Sequence, residues 1–326
     1  MELYPLKFHP ILIQKIWGGN NLVSLFKKQS DKNNIGESWE ISDIDNYESI
    51  VSNGYYAGKT LRQLIDIQKE HLLGKSIYRE FGSKFPLLIK FIDAADNLSI
   101  QVHPNDQLAQ QKHNSSGKTE MWHIIKASQN AFLISGFKER TTPQQFVDAI
   151  NKKTITDLIK KYPVKENDTF FIPAGQIHAI GKGIILVEIQ QSSDITYRLY
   201  DYNRKDSSGH MRNLHITDGI EAINFNKQLG VKIPCPNTKN KQTKLIKCNY
   251  FTTNYLHLSG TTVLDFNNID SFIIFINLKN SATLKYTNSY IDINVGETIL
   301  LPADIKNIEL HSENTIILIT YISLSK

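Results

Sequence analysis

Short apolar or alternating runs recur along the chain, rich in Ile, Val, Phe and Tyr. They fall at residues 85–92, 99–103, 121–125, 168–172 and 184–190, and again at 271–276 and 315–321. Turn residues separate them, which is the pattern of an antiparallel barrel or sandwich. Helical signals are few but well formed. Thr60 with Gln63 makes a capping box that opens a helix carrying Leu61, Leu64, Ile65 and Leu72, with Gly74 as its stop. Thr142, Pro143 and Gln145 open another that runs towards Ile150, and a third helical stretch, 154–161, ends before Pro163.

Between about Asn226 and Lys244 the apolar pattern lapses. Residues 232–241, with two prolines and several lysines, read as a linker, and 250–323 beyond it is almost entirely short strands. The expected division is therefore 1–240 and 241–326. An internal similarity supports it. Residues 167–174 (Asn-Asp-Thr-Phe-Phe-Ile-Pro-Ala) resemble 296–303 (Gly-Glu-Thr-Ile-Leu-Leu-Pro-Ala): an acidic turn, a Thr, three large apolar residues and Pro-Ala. Two such units imply a duplicated all-β architecture of jelly-roll barrels, with a few helices attached to the N-terminal part. Five residues past Pro173 stands His178; five past Pro302 stands Asn307. A metal-binding first copy and a second copy without the ligand are the expectation.

Length and composition narrow the class. A chain of 326 residues suggests about two domains, and 40% apolar with 21% charged residues is ordinary for a soluble globular protein. The net charge of +5 favours small anions but not nucleic acid. Only Cys235 and Cys248 are present, which excludes a disulfide scaffold and a cysteine-rich zinc site. The N-terminal residues lack the pattern of a signal peptide, and no apolar run approaches the ~18 residues of a membrane span. A cytoplasmic protein with a small-molecule partner, and no nucleic acid, membrane or obligate protein partner, is expected.

The strongest chemical signal is Ser99-Ile100-Gln101-Val102-His103. On a strand, Ser99, Gln101 and His103 share one face while Ile100 and Val102 share the other. Such a strand either turns its polar face to solvent or lines a barrel with a polar interior. Glu120 opens a further apolar strand, and His178 stands just beyond a strand end. Gln101, His103, Glu120 and His178 together offer two imidazole nitrogens and two oxygens, a set suited to Zn²⁺, Mn²⁺ or Fe²⁺. Spacing alone does not choose the metal.

The ordered motifs Gln-Val-His-Pro-Asn-Asp (101–106), Gly-Lys-Thr-Glu-Met-Trp (117–122) and Ile-Pro-Ala-Gly-Gln-Ile-His-Ala (172–179) resemble those of type I mannose-6-phosphate isomerases. So do Ile16-Trp17-Gly18-Gly19, the run 35–42 and the run 186–201. The resemblance spans about residues 5–220 and, more loosely, the C-terminal barrel. It implies a cupin fold, one zinc ion per chain on Gln101, His103, Glu120 and His178, and interconversion of mannose 6-phosphate and fructose 6-phosphate. The family's active-site arginine falls on Arg198, and the lysine ahead of the ligand glutamate on Lys118. Larger members carry Asn-His-Lys-Pro-Glu where this chain has Ser116-Gly117-Lys118-Thr119-Glu120. That histidine is missing, so no role of it carries over. The chain resembles the short bacterial form.

Aldose–ketose isomerisation needs proton transfer between C1 and C2 through an enediol, with charge developing on the sugar oxygens. Arg198 suits a phosphate or an oxyanion. Lys118 suits phosphate or, if desolvated, proton transfer. Glu188 and Asp194 are candidates for moving the proton or orienting Arg198. Ser99 is a candidate phosphate donor and Trp17 a candidate wall of the sugar pocket, with a structural hydroxyl and a core tryptophan as the plainer alternatives. His113, His123 and His215 lack such company and read as structural. A cupin dioxygenase using Fe²⁺ and a non-catalytic sugar-phosphate sensor are the competing readings. Oxygen chemistry has no need of a phosphate grip, and no output module is apparent.

Overall fold

The computed structural model describes residues 3–205, 208–225 and 231–324. The fold is mainly β, of cupin type, and every ladder is antiparallel. A seven-stranded sheet runs in the order Val231–Ile233, Thr169–Ile172, Glu120–Ala127, Ile184–Gln191, Leu87–Ala94, Ile11–Gly19 and Ile35–Ile41. A five-stranded sheet runs Ile159–Pro163, Phe132–Phe137, His178–Ile180, Ile100–Val102 and Tyr197–Tyr200. The two face each other. Leu98, Leu133 and Ile180 beside the smaller sheet share one apolar cluster with Trp122, Ile124 and Phe170 of the larger. Among the described residues no sheet closes on itself, so the jelly roll is a pair of open layers.

Strand parity explains why the central strands carry so little polarity. In Leu87–Ala94, the side chains of Leu87, Ile89 and Phe91 enter one cluster while Ile92 and Ala94 enter another. Ile185, Val187 and Ile189 alternate in the same way with Ile184 and Leu186. Both faces of this sheet are covered, so its central strands are mostly apolar and the charges they do carry, such as Lys90 and Glu188, are buried in pairs. The face of Leu87, Ile89 and Phe91 packs on the C-terminal strands, through Phe272, Ile274, Ile276, Leu300 and Leu318.

Those strands form one sheet, Thr243–Lys247, Thr252–Asp265, Asn307–Tyr321, Ile273–Lys279 and Thr298–Leu301, with Ala282–Tyr286 and Ser289–Ile293 attached. Asn307–Tyr321 pairs with Ala282–Tyr286 along its first half and with Ile273–Lys279 along its second, so it passes from one layer to the other. The internal repeat is visible in the hydrogen bonds. Asn167, at φ 67°, donates to the Ile124 carbonyl while Ile124 donates to that of Asp168, both at 2.8 Å. Gly296, at φ 76°, donates to Asn277 at 2.8 Å while Asn277 donates to Glu297 at 3.0 Å.

All described helices lie before Ile223. Both capping boxes form, at Thr60 with Gln63 and at Thr142 with Gln145. Three expectations require correction. The helix from Thr60 breaks at Lys69 (φ 49°) into Leu61–Gln68 and Glu70–Leu73 before Gly74 stops it. The Leu72 and Leu73 carbonyls, free at the end of the second piece, accept from Ala303 and Phe272 of the C-terminal part, at 2.9 and 3.1 Å. The helix expected over 154–161 covers only Ile155–Leu158; Ile159–Pro163 is a strand at the sheet edge, where Pro163 removes no needed donor. The expected linker is not wholly unstructured. Its first residues, 232 and 233, belong to the strand Val231–Ile233, which pairs with Thr169–Ile172; residues 226–230, where the apolar pattern begins to lapse, lie outside the described residues. Cys235 and Cys248 are both free thiols.

Candidate metal centre and active site

The ligand face of Ile100–Val102 is set by three strands in register. Gln101 lies opposite His178 on one neighbour and opposite Arg198 on the other, so the three side chains form a row on one face. Ile100 and Val102 point the other way, into a cluster with Phe146, Ile155 and Leu199 under the helices. The apolar face of this strand is thus covered by helices, and its polar face looks across at the larger sheet. There Glu120 stands opposite Ile172 and Gln190.

His103, Glu120 and His178 converge, each with one ligand atom within 4.8 Å of the others. The two Nε2 atoms are 3.1 Å apart, each 3.5 Å from a Glu120 oxygen, and Gln101 Nε2 is 3.3 Å from His178 Nε2. His103 Nδ1–H donates to the Ile195 carbonyl at 2.9 Å and His178 Nδ1–H to that of Gln176 at 2.7 Å. With Nδ1 protonated, both rings present bare Nε2 lone pairs to the centre. Two lone pairs at this separation repel unless a cation lies among them. Both Glu120 oxygens are buried without a hydrogen-bond partner. A glutamine amide exchanges O for N by a half-turn, so Gln101 can add its oxygen. Neutral imidazoles, an orphaned carboxylate and an amide fit a divalent ion.

The electrostatics agree with neutral imidazoles. Burial pushes His178 down to about 4 and His103 well below its ordinary value, and the Lys118 ammonium adds to both. Burial also pushes Glu120 up to about 8, reinforced by the negative charge of Glu188. Lys118 Nζ lies 3.3 Å from Glu120 Oε2 and is itself buried.

Beyond Glu120 runs a chain of buried charges that sequence reasoning only partly found. Glu188 faces Trp122 on one strand and Lys90 on the other. The Trp122 Nε1–H donates to Glu188 Oε2 at 2.8 Å, and Lys90 Nζ is 3.3 Å from Oε1. Burial works to raise Glu188, but Lys90, Lys118 and the indole outweigh it and hold it below the ordinary value. Lys90 lies over the Trp39 ring at 4.9 Å, and the Trp39 indole donates to Glu37 at 2.7 Å. Lys90 and Lys15 overcome burial to bring Glu37 down to about 2. Lys90 and Glu37 were missed, although Lys90 is the one charge in the apolar run 85–92 and so carried a signal.

The remaining candidates spread outward. Arg198 is half-buried, with Nη1 donating to the Asn213 carbonyl at 2.9 Å and its backbone N–H to His215 Nδ1 at 3.1 Å. Ser99 is buried at the start of the ligand strand. Trp17 is buried in the cluster of Trp122 and Ile92. Asp194 is exposed; its neighbour Ile195 reaches the centre through a carbonyl. His113 bonds the Tyr197 hydroxyl at 2.7 Å and His123 that of Thr169 at 2.8 Å. Gly117 has no room for a side chain: a Cβ would lie 2.6 Å from Asn105 C and Asp106 N.

Residues 6–126 match the model of the phosphomannose isomerase type I catalytic domain, and 241–321 that of the mannose-6-phosphate isomerase cupin domain. A mannose-6-phosphate isomerase of Bacillus subtilis is 39% identical over 272 residues, which is 81% of this chain and 82% of that one. The chain belongs to the type I phosphomannose isomerase family. A mannose-6-phosphate isomerase of Streptococcus mutans is 34% identical, over 96% of this chain and 97% of its own. The crystal structure of the mannose 6-phosphate isomerase from Bacillus subtilis superposes with a TM-score of 0.88 at 31% identity, covering 98% of this chain and all of that one. No described helix is long and apolar enough to cross a membrane.

Proposed function

We propose that the protein is a zinc-dependent mannose-6-phosphate isomerase, interconverting mannose 6-phosphate and fructose 6-phosphate. One observation carries the reading: neutral His103 and His178 turn Nε2 lone pairs onto a Glu120 carboxylate that has no hydrogen-bond partner, with Lys118 beside it. Gln101, His103, Glu120 and His178 would hold the ion, and the borderline donor set suits Zn²⁺. When bound, the ion supplies a Lewis acid for the sugar's carbonyl oxygen.

The chain's own residues account for the rest. Lys118, buried beside Glu120, donates to a sugar oxygen as charge develops during enediol formation. Arg198, one strand over from Gln101, supplies a fixed cation for the phosphate, with Ser99 as a further donor. Glu120 would hold the ion, so Glu188, which Lys90 and Trp122 keep ionised, takes the proton from C2 and returns it to C1, and does the reverse in the other direction. A doubly charged sugar phosphate does not cross a bilayer unaided, so the enzyme works in the cytoplasm.

A coupled assay for fructose 6-phosphate tests this. Purified protein turns over mannose 6-phosphate, a chelator abolishes the activity and Zn²⁺ restores it. Absence of turnover in zinc-loaded protein would sink the proposal.

A further inference from the structure

The candidate site is built by the N-terminal strands, and the first hairpin of the C-terminal sheet reaches the segment beside it. Thr243–Lys247 and Thr252–Asp265 form a hairpin whose turn is closed by the Cys248 N–H donating to the Phe251 carbonyl at 3.0 Å. Phe251 is fully buried in the cluster between the two sheets, which anchors the turn. Tyr250, next to it, points its hydroxyl at Asp106 Oδ2, 2.5 Å away.

Asp106 is three residues past the ligand His103 and is itself a junction. Its Oδ1 accepts from the Gly117 N–H and from Gln191 Nε2, both at 2.9 Å. Gln191 ends the strand that bears Glu188, and its Oε1 accepts from the Thr119 N–H at 2.8 Å. The Lys118 N–H between them donates to the Pro104 carbonyl at 3.1 Å. Three consecutive amides, 117 to 119, are therefore tied down, and they carry Lys118 and lead into Glu120. Charged acceptors make the stronger hydrogen bonds, and a carboxylate holding three donors on distinct segments fixes their relative positions.

We propose that Tyr250 is a positioning residue for the reaction: through Asp106 and Gln191, the C-terminal hairpin sets the conformation of the Gly117–Thr119 segment and hence the placement of Lys118. This rests on the isomerase reading for its kinetic consequence, though not for its structural one. Burial and the Asp106 carboxylate both push the Tyr250 phenol up, so it remains a donor at working pH.

The test uses the full chain loaded with zinc and compares Tyr250→Phe with Lys7→Met. The latter breaks another contact to the C-terminal sheet, Lys7 to Glu297 at 2.7 Å. Tyr250→Phe lowers kcat for mannose 6-phosphate by about 3–10-fold with KM changed by less than about twofold, the signature of misplaced chemistry rather than lost binding. It also speeds amide exchange at Gly117, Lys118 and Thr119 several-fold, while Lys7→Met alters neither quantity. Asp106→Ala exceeds Tyr250→Phe in both, and Asp106→Asn, which keeps an acceptor for Gly117, recovers most of the loss. Unchanged exchange at 117–119 in Tyr250→Phe overturns the proposal, as does an equal effect from Lys7→Met. If wild-type protein shows no isomerase activity, the isomerase reading falls while the exchange measurement still decides the positioning role.

Discussion

Trp122 and Glu188 stand directly opposite each other on neighbouring strands, and the indole N–H donates to the carboxylate at 2.8 Å. Both are buried, as is Lys90 on the far side of Glu188. A carboxylate in such a place stays ionised only while its partners remain. Trp122→Phe keeps most of the ring but removes the donor, and a hydrogen bond to a charged group is worth about 1.5–3 kcal/mol. Denaturant unfolding at pH 7 should show a loss of that order. Lys90→Met removes the central cation, leaving Glu37 with Lys15 and the Trp39 indole and Glu188 with the Trp122 indole as its one direct contact among the described residues; removing one partner of such a buried pair costs about 3–5 kcal/mol. A loss below about 1 kcal/mol in the lysine variant would show that the chain of charges is not held by Lys90.

Arg198→Ala should separate chemistry from metal binding. Loss of the cation that grips the phosphate leaves the sugar misoriented, and such misplacement costs about 10²-fold in kcat/KM. Zinc content, by elemental analysis, should stay near one per chain, since the Arg198 contacts are to Asn213 and His215 and not to Glu120 or the histidines. Loss of the metal would reassign the residue.

Glu120→Gln removes the only charged ligand and should abolish zinc retention. It should also stabilise the metal-free protein at pH 9. Burial holds the wild-type carboxyl at about 8, so above that pH the folded wild type carries a buried charge that the variant lacks. Unfolding of both proteins in chelator checks this; a metal-free variant no more stable than metal-free wild type at pH 9 would contradict it.

His123 lies on the other face of the same strand, its Nδ1 bonded to Thr169 and its Nε2 buried without a partner. Burial pushes it down to about 4 from 6.5. Below pH 6.5 the unfolded chain binds a proton that the folded protein refuses, so stability falls as pH drops towards 4, at up to about 1.4 kcal/mol per unit. His123→Gln should remove that component. Zinc-loaded wild type and variant, unfolded at pH 7, 6 and 5, should converge in stability as the pH falls; a constant difference would refute it.

Gly117→Ala should be costly for a reason independent of charge. The added methyl would meet the backbone of Asn105 and Asp106 at 2.6 Å. Overpacking against backbone costs typically about 1–3 kcal/mol, and here it also displaces the amide from Asp106. Thermal melting and kcat should both drop.

Much of this protein was legible in one dimension because it depends on local rules. Period-two alternation put Gln101 and His103 on one face of a strand, and capping boxes opened two helices where Thr60 and Thr142 stand. The eight-residue repeat marks two turns that close with the same pair of backbone hydrogen bonds. Other features had no local cause. The helix from Thr60 ends at Leu73 against the distant C-terminal part, where Ala303 and Phe272 donate to the Leu72 and Leu73 carbonyls. Residues 159–163 form a strand because Phe132–Phe137 offers an edge. Lys90 sits mid-strand in an apolar run only because Glu37 and Glu188 arrive from two other strands to neutralise it. Sequence alone determined which side chains could serve as ligands, since parity and chemical type are properties of the chain. Which charges pair, and which hairpin reaches Asp106, only the tertiary structure decided, because such contacts join residues far apart in the chain, 144 positions for Asp106 and Tyr250 and 268 for buried Lys28 and Gly296.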